Sequence, residues 1–319
     1  PEEATLRKAV ELGRKERVDL VLEVGGGSVL AGSKFIAAAI PFQGEPWDFV
    51  NKGAAVESAT PLASILTLPA TGSESNTFAV ISRRETGEKL AFGSVHVYPK
   101  FAVLDPETTF SLPPRQVANG VVDAFCHVCE QYMTFPADAH IQDRFAESIL
   151  QTLIEVGPRT LANPTNYDDR ASFVWSATLA LNGLIGAGVP QDWATHMIGH
   201  ELTALYEIDH ARTLAVVMPH LFRVQSARKE AKLLQYAERI WGIKDGPAAE
   251  RIEAAIAKTE EFFESMGLPT RLAKYENIQD GTPSLVAEKL QSRGFAKLGE
   301  KGEVGPEQVV EILTRSLAA

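Results

Sequence analysis

Cysteine is nearly absent from this chain. Two occur in 319 residues, Cys126 and Cys129, in the run Cys-His-Val-Cys. Without a second CxxC, one chain has no four-thiolate zinc site. A redox CxxC is expected at a helix N-terminus just after a strand; this pair falls inside a helical pattern and reads as two small core residues. So sparing a use of cysteine fits the cytoplasm. Positive charge is short as well: 31 Lys+Arg against 41 Asp+Glu leave −10. With no basic run to offset it, nucleic acid and anionic membrane are excluded as partners. Long hydrophobic runs are missing too. The longest, residues 18–24 and 35–42, are too short to span a bilayer. Nothing like a signal peptide opens the chain, which begins at Pro1 rather than Met, so its natural start is expected upstream. Two catalytic signatures are lacking: the GxGxxG dinucleotide fingerprint and HExxH, since the candidate stretch reads HMIGHE from His196.

What is present has two textures. Residues 6–16 read as an amphipathic helix and residues 18–24 as a β-branched strand. Gly25-Gly26-Gly27-Ser28 follows at once, then a helical pattern over residues 29–40. Strand, glycine turn and helix form a phosphate-cradling arrangement, because glycines admit backbone N–H groups close to a pyrophosphate and the helix N-terminus favours negative charge. A second buried strand is expected at residues 64–68, followed by the loop Pro69-Ala-Thr-Gly-Ser-Glu-Ser-Asn76. That loop is either a further set of donors for phosphate or ribose, or a plain turn with an N-cap. Residues 78–82 and 89–92 predict a hairpin, and 101–104 another strand. After Ser111-Leu-Pro-Pro114 the period is helical throughout. The expected helices cover 115–132, 138–156, 168–184, 191–205, 213–225, 227–241, 248–266, 283–292 and 306–317. The expectation is an α/β nucleotide-binding domain with a Rossmann-like open sheet, residues 1–112, incomplete at its start, joined to an all-α domain, residues 113–319.

The stretch from Gly188 to His210 holds three of the seven histidines, His196, His200 and His210. His196 and His200 are four apart, hence one helical turn, and His210 lies fourteen residues past His196, close to four turns. Imidazole is the commonest metal ligand, so the three form either part of a coordination shell or three unrelated histidines. Asp123 and His127 repeat the i, i+4 spacing in an apolar run. There an acid is costly unless paired or metal-bound, whereas a plain helix ion pair is worth only a few tenths of a kcal/mol.

On these residues the sequence resembles the iron-containing (group III) alcohol dehydrogenase family, in its NADPH-dependent aldehyde reductase and butanol dehydrogenase branch. The resemblance runs along the whole chain: GGGSVL at Gly25, TLPATGSESN at Thr67, LDP at Leu104, LPPRQVANGVVDAF at Leu112, NGLIGAGVPQDWATHMIGHELTA at Asn182 and DHARTLA at Asp209. It implies that Asp123, His127, His196 and His210 ligate one divalent metal, Fe(II) or Zn(II), and that His200 relays a proton near the nicotinamide. It implies cofactor binding by Gly25, Gly26, Gly27 and Ser28, by Thr67, Thr71, Gly72, Ser73 and Asn76, and by Lys89. The expected cofactor is NADP(H) in preference to NAD(H), and the substrate a short- or medium-chain aldehyde or alcohol. A homodimer or larger assembly is expected. Three departures accompany it. The family's nucleotide domain begins further upstream; Ala31 stands where the GGGSxxD motif has its acid; and Glu23 stands where a small apolar residue is usual. A metal-dependent hydrolase and a non-catalytic subunit unable to hold cofactor are the rival readings.

Overall fold

The computed structural model describes residues 1–318. Helix α1 (Glu3–Lys15) buries Leu6 and Val10, and leads through Arg17, in left-handed backbone, to strand β1 (Val21–Gly26). Because Val18 N–H still bonds the Gly13 carbonyl to close α1, the strand starts three residues later than its apolar run. Helix α2 (Gly27–Ala39) begins inside the glycine turn rather than after it. Short α3 (Trp47–Asn51) and strand β2 (Leu62–Leu68) come next. Strands β3 (Phe78–Arg83) and β4 (Glu88–Gly93) form the expected antiparallel hairpin. The two-residue β5 (Ala102–Val103) completes a three-stranded parallel sheet of order β1-β2-β5, the βαβ arrangement the alternating pattern called for.

From Pro114 onward the long elements among the described residues are helices: α4 (Pro114–Tyr132), α5 (His140–Ala162), α6 (Tyr167–Leu181), α7 (Ala194–Tyr206), α8 (His210–Val224), α9 (Glu230–Trp241), α10 (Ala248–Ser265), α11 (Thr282–Ser292) and α12 (Pro306–Leu317). Helix α5 runs six residues past its expected end at 156, straight through Pro158. Proline removes a single N–H. Packing of α5 against α4, close at Gly157 where a Cβ would sit 2.8 Å from Val121, outweighs that loss. Helix α4 is buried along nearly its whole length, at the centre of one large apolar core. A smaller core built on Phe35, Trp47, Phe49 and Phe92 holds the α/β part together. Leu30, Leu66 and Val174 join the two parts across α2, β2 and α6.

Strand β1 has a reversed face. Leu22 and Val24 are exposed, while Glu23 between them is 2% exposed and its Oε1 accepts from Ser64 Oγ on β2. Its Oε2 has no partner. Beside it the fully buried ammonium of Lys34 donates to Ser73 Oγ at 2.9 Å, Asn76 Oδ1 at 3.0 Å and the carbonyls of Asn76 and Phe78. Burial lifts Glu23 from 4.5 to about 7, with Ser64 and Lys34 pulling the other way. The native state therefore holds a proton that the unfolded chain has released between about pH 4.5 and 7, and stability falls as pH rises through that window. Glu23→Gln is expected to stabilise by about 1–3 kcal/mol near pH 8 and by almost nothing near pH 4.5. Urea unfolding at the two pH values checks this; an equal effect at both would show that the ionised carboxylate is not the cause.

Candidate metal centre and nucleotide loops

Four side chains from three helices meet beside the sheet. Asp123 and His127 lie one turn apart on α4, with Asp123 Oδ1 3.9 Å from His127 Nε2. His196, in the first turn of α7, stacks its ring on that of His127 at 4.7 Å. One ligand atom each from Asp123, His127 and His196 lies within 4.8 Å of the others, all buried. His210 brings its Nε2 to 3.7 Å from the same Asp123 oxygen, its ring 5.2 Å from that of His196.

The spacing of four turns is not what aligns His210 with His196. The helix ends at Glu207, in left-handed backbone at φ +54°, and the chain restarts α8 at His210. Helices α7 and α8 then pack side by side. Asp209, just before α8, accepts from Arg115 Nε at 2.8 Å and Asn119 Nδ2 at 2.9 Å. Those bonds dock the start of α8 on α4, one turn from Asp123.

Electrostatically the cluster suits a cation. Burial lowers His127 to about 4 and His196 to about 3, and holds His200 and His210 well below their usual value, so all four imidazoles keep a free lone pair at neutral pH. Burial raises Asp123, against the pull of the His127 and Lys89 charges. Asp123 Oδ1 and His196 Nε2 are buried without a hydrogen-bond partner. Leaving such atoms bare costs about 1–3 kcal/mol each; a divalent ion among these oxygen and nitrogen donors removes that penalty. His200 lies beside the cluster, its ring 5.0 Å from His210 and 6.3 Å from His196. Burial takes away the near-neutral pKa on which a charging relay would depend. Such a ring moves a proton by taking it at one nitrogen and releasing it at the other.

Lys89, on β4, is drawn to this centre. Burial lowers its pKa, Asp123 opposes that shift, and its charge is felt at His196, His200 and His210. The hairpin is held there by Arg293, just past the end of α11, which donates to Gly87 O at 3.1 Å and pairs with Glu201 of α7 at 2.6 Å.

The glycine turn and the second loop meet at the carboxyl ends of β1 and β2, where ligands bind in open parallel sheets. A Cβ on Gly26 would lie 2.8 Å from Leu68 Cβ, and one on Gly27 2.6 Å from Thr71 Cγ2, so the approach needs glycine. Ser28 follows Gly27 in the first turn of α2. Thr67, the last residue but one of β2, is half-buried, and Thr71 Oγ1 receives Ser73 N–H at 3.3 Å. Gly72 takes φ +56° against α6. Ser73 and Asn76 turn inward: both bind Lys34, and Asn76 Nδ2 donates to Gly72 O and Leu181 O. They shape the loop, with Lys34 as the pin that reading the sequence overlooked. Glu130, whose carboxylate touches His196, was overlooked as well. Its signal was present: three residues past His127, it shares the helix face of a candidate ligand. Cys126 and Cys129 are buried free thiols in the core, as read.

Comparison with known proteins gives matches along the chain. The model described as "Iron-containing alcohol dehydrogenase" matches residues 1–106, and "Fe-containing alcohol dehydrogenase family, C-terminal" matches 117–317. The NADPH-dependent aldehyde reductase YqhD of Escherichia coli is 58% identical over 307 residues, 95% of this chain and 79% of that one. NADH-dependent butanol dehydrogenase A of Clostridium acetobutylicum is 37% identical over 99% of this chain and 82% of its own. The crystal structure of E. coli K-12 YqhD superposes with a TM-score of 0.96 at 56% identity, covering 99% of this chain and 82% of that one.

Proposed function

The chain belongs to the iron-containing alcohol dehydrogenase family, and from that premise we propose that Asp123, His127, His196 and His210 hold its divalent metal, Fe(II) or Zn(II), opposite a nucleotide bound by the two loops. It is an NAD(P)H-linked oxidoreductase of alcohols and aldehydes. One observation carries the metal assignment: Asp123 Oδ1 and His196 Nε2, both buried and unpartnered, converge with two further imidazoles. Gly25 to Ser28 supply backbone donors to the pyrophosphate, and Thr67, Thr71 and Gly72 those of the second loop, while Ser73 and Asn76 keep that loop in shape through Lys34.

When bound, the metal supplies Lewis acidity toward the substrate oxygen, and the nicotinamide supplies or accepts hydride. Asp123 brings the only negative charge of the ligand set, so the loaded site stays net positive by one. Lys89 adds positive field on the side of the hairpin. His200 holds the proton to be exchanged with the product or substrate oxygen. Water is kept from the centre by the buried face of α4 and by Trp193, whose ring lies 5.2 Å from His196.

NADP(H) is the cofactor we assign in preference to NAD(H), supported by the higher identity to the NADPH-dependent relative than to the NADH-dependent one. As substrates we assign short- and medium-chain aldehydes and alcohols, supported by the similarity to an aldehyde reductase and to butanol dehydrogenases. We place the domain boundary near residue 112, supported by the change of texture there, and assign a homodimer or larger assembly, supported by the exposed apolar Leu22, Val24, Phe101 and Val103. A cytoplasmic setting is supported by the two unpaired thiols. No helix among the described residues is long and apolar enough to cross a membrane. A hydrolase would leave the two glycine-bearing loops without a task.

The test is metal content and NADPH-coupled butyraldehyde reduction on one preparation. About one equivalent of metal is expected, with turnover lost on chelation and regained with Fe(II) or Zn(II). Undiminished turnover by metal-free protein would overturn the assignment.

A further inference from the structure

His196 keeps its Nε2 buried without a partner while its Nδ1 is engaged, and something must hold the ring that way round. Glu130 of α4 is 4% exposed, and its Oε1 accepts the backbone N–H of His196 at 2.8 Å and stands 3.0 Å from the Nδ1 of the same ring. Trp193, the residue before α7, adopts φ +63°, a left-handed backbone that a bulky residue takes at a cost of about 1–3 kcal/mol. Capping accounts for the backbone bond alone: Asp192 Oδ1 accepts Ala194 N–H at 2.7 Å while its Oδ2 binds Lys229 at 2.7 Å, and Glu130 takes the N–H of His196. The contact of the same Glu130 oxygen with the His196 ring is what capping leaves unexplained.

A neutral imidazole has one N–H. Glu130 Oε1 already accepts the backbone N–H of His196, so this oxygen faces Nδ1 as an acceptor whether or not the acid is ionised; it holds the hydrogen on Nδ1 and leaves the lone pair on Nε2, the atom that is buried without a partner. We propose that Glu130 is a positioning residue of the metal centre, fixing the tautomer and the aim of His196. The inference rests on the metal reading given above. It makes α4 the organising element of the site: Asp123 and His127 are ligands from it, and Glu130, on the same helix, holds a ligand that belongs to α7. The carboxylate also raises the donor strength of the imidazole it binds, so its loss weakens metal binding beyond the loss of orientation.

The test uses metal-free wild type, Glu130→Gln and Glu130→Ala, each titrated with Zn(II) against a competing chelator, with NADPH affinity by equilibrium dialysis and urea unfolding alongside. Metal affinity is expected to fall about 10–100-fold in both variants, with NADPH affinity unchanged. A residue that only capped the helix would move the urea midpoint and leave the affinity of the folded protein alone; that result overturns the proposal while the metal reading stands. Wild type that takes up no zinc overturns both. Nitrogen NMR of His196 in the metal-free wild type gives an answer even if the variants fail to fold. Hydrogen on Nδ1 supports the proposal, and hydrogen on Nε2 overturns it.

Discussion

Asp123→Ala is expected to fold, to bind no metal at micromolar concentrations, and to lose roughly a thousandfold or more in turnover, about 4 kcal/mol at 1.4 kcal/mol per decade. Without Asp123 the ligand set is three neutral imidazoles, and a dication would keep its full charge in a buried setting, where uncompensated charge is least tolerated. Stability should respond in opposite senses with and without metal. In the metal-free protein burial raises the Asp123 pKa, so its ionised form destabilises the fold at neutral pH, and removing it is neutral or mildly favourable. With metal at about a hundred times its dissociation constant, the wild type gains about 2.7 kcal/mol that the variant does not. Metal analysis, steady-state rates and thermal melts with and without chelator check the three parts. Wild-type turnover in a variant free of metal would remove Asp123 from the centre.

Gly120→Ala should lose about a hundredfold in kcat/KM and about 1–3 kcal/mol of stability while keeping its metal. A Cβ at residue 120 would lie 2.3 Å from the Pro69 carbonyl oxygen and 3.0 Å from Phe173 Cζ. The obstacle on the first side is backbone, so no rotamer relieves it, and either α4 or the loop after β2 must retreat. Asp123 lies three residues further along that helix, and the loop carries Thr71 and Gly72. One methyl group therefore shifts the ligand set relative to the nucleotide loops without touching either, and displacements near 1 Å are enough for the expected loss. Metal content separates the two causes of low activity. Normal metal with low rate is the expected pair; metal loss would mean that the helix itself had come apart, and an unchanged rate that the contact does not set the alignment.

Local chemistry explains which features could be read in advance. The β3–β4 hairpin, the strand–glycine–helix unit and the i, i+4 pair on α4 each depend on neighbours in the chain, and spacing reports those directly. His210 could be named through resemblance, but the route that brings it to the centre, a reversal at Glu207 and docking of Asp209 on Arg115 and Asn119, depends on contacts about ninety residues apart in sequence. The helix expected to end at 156 runs on through Pro158 because the packing of α5 on α4, which local propensity does not report, carries it. Lys34, Glu23 and Glu130 show the same limit in polar form. Each is a charged residue in a buried place, and what makes its burial tolerable, or costly, is a partner on another element.

The strained Trp193 has one more consequence. Its indole lies 5.2 Å from the ring of His196 and 6.2 Å from that of His127, so the molecule carries an optical gauge at the mouth of its own ligand set. Fe(II), with an open d shell, should quench the emission of that indole, whereas Zn(II), with a filled and redox-silent shell, should leave it bright. Trp47, Trp175 and Trp241 sit on other elements and provide a steady background. Which metal the protein has taken up can thus be read as light, before any substrate is added.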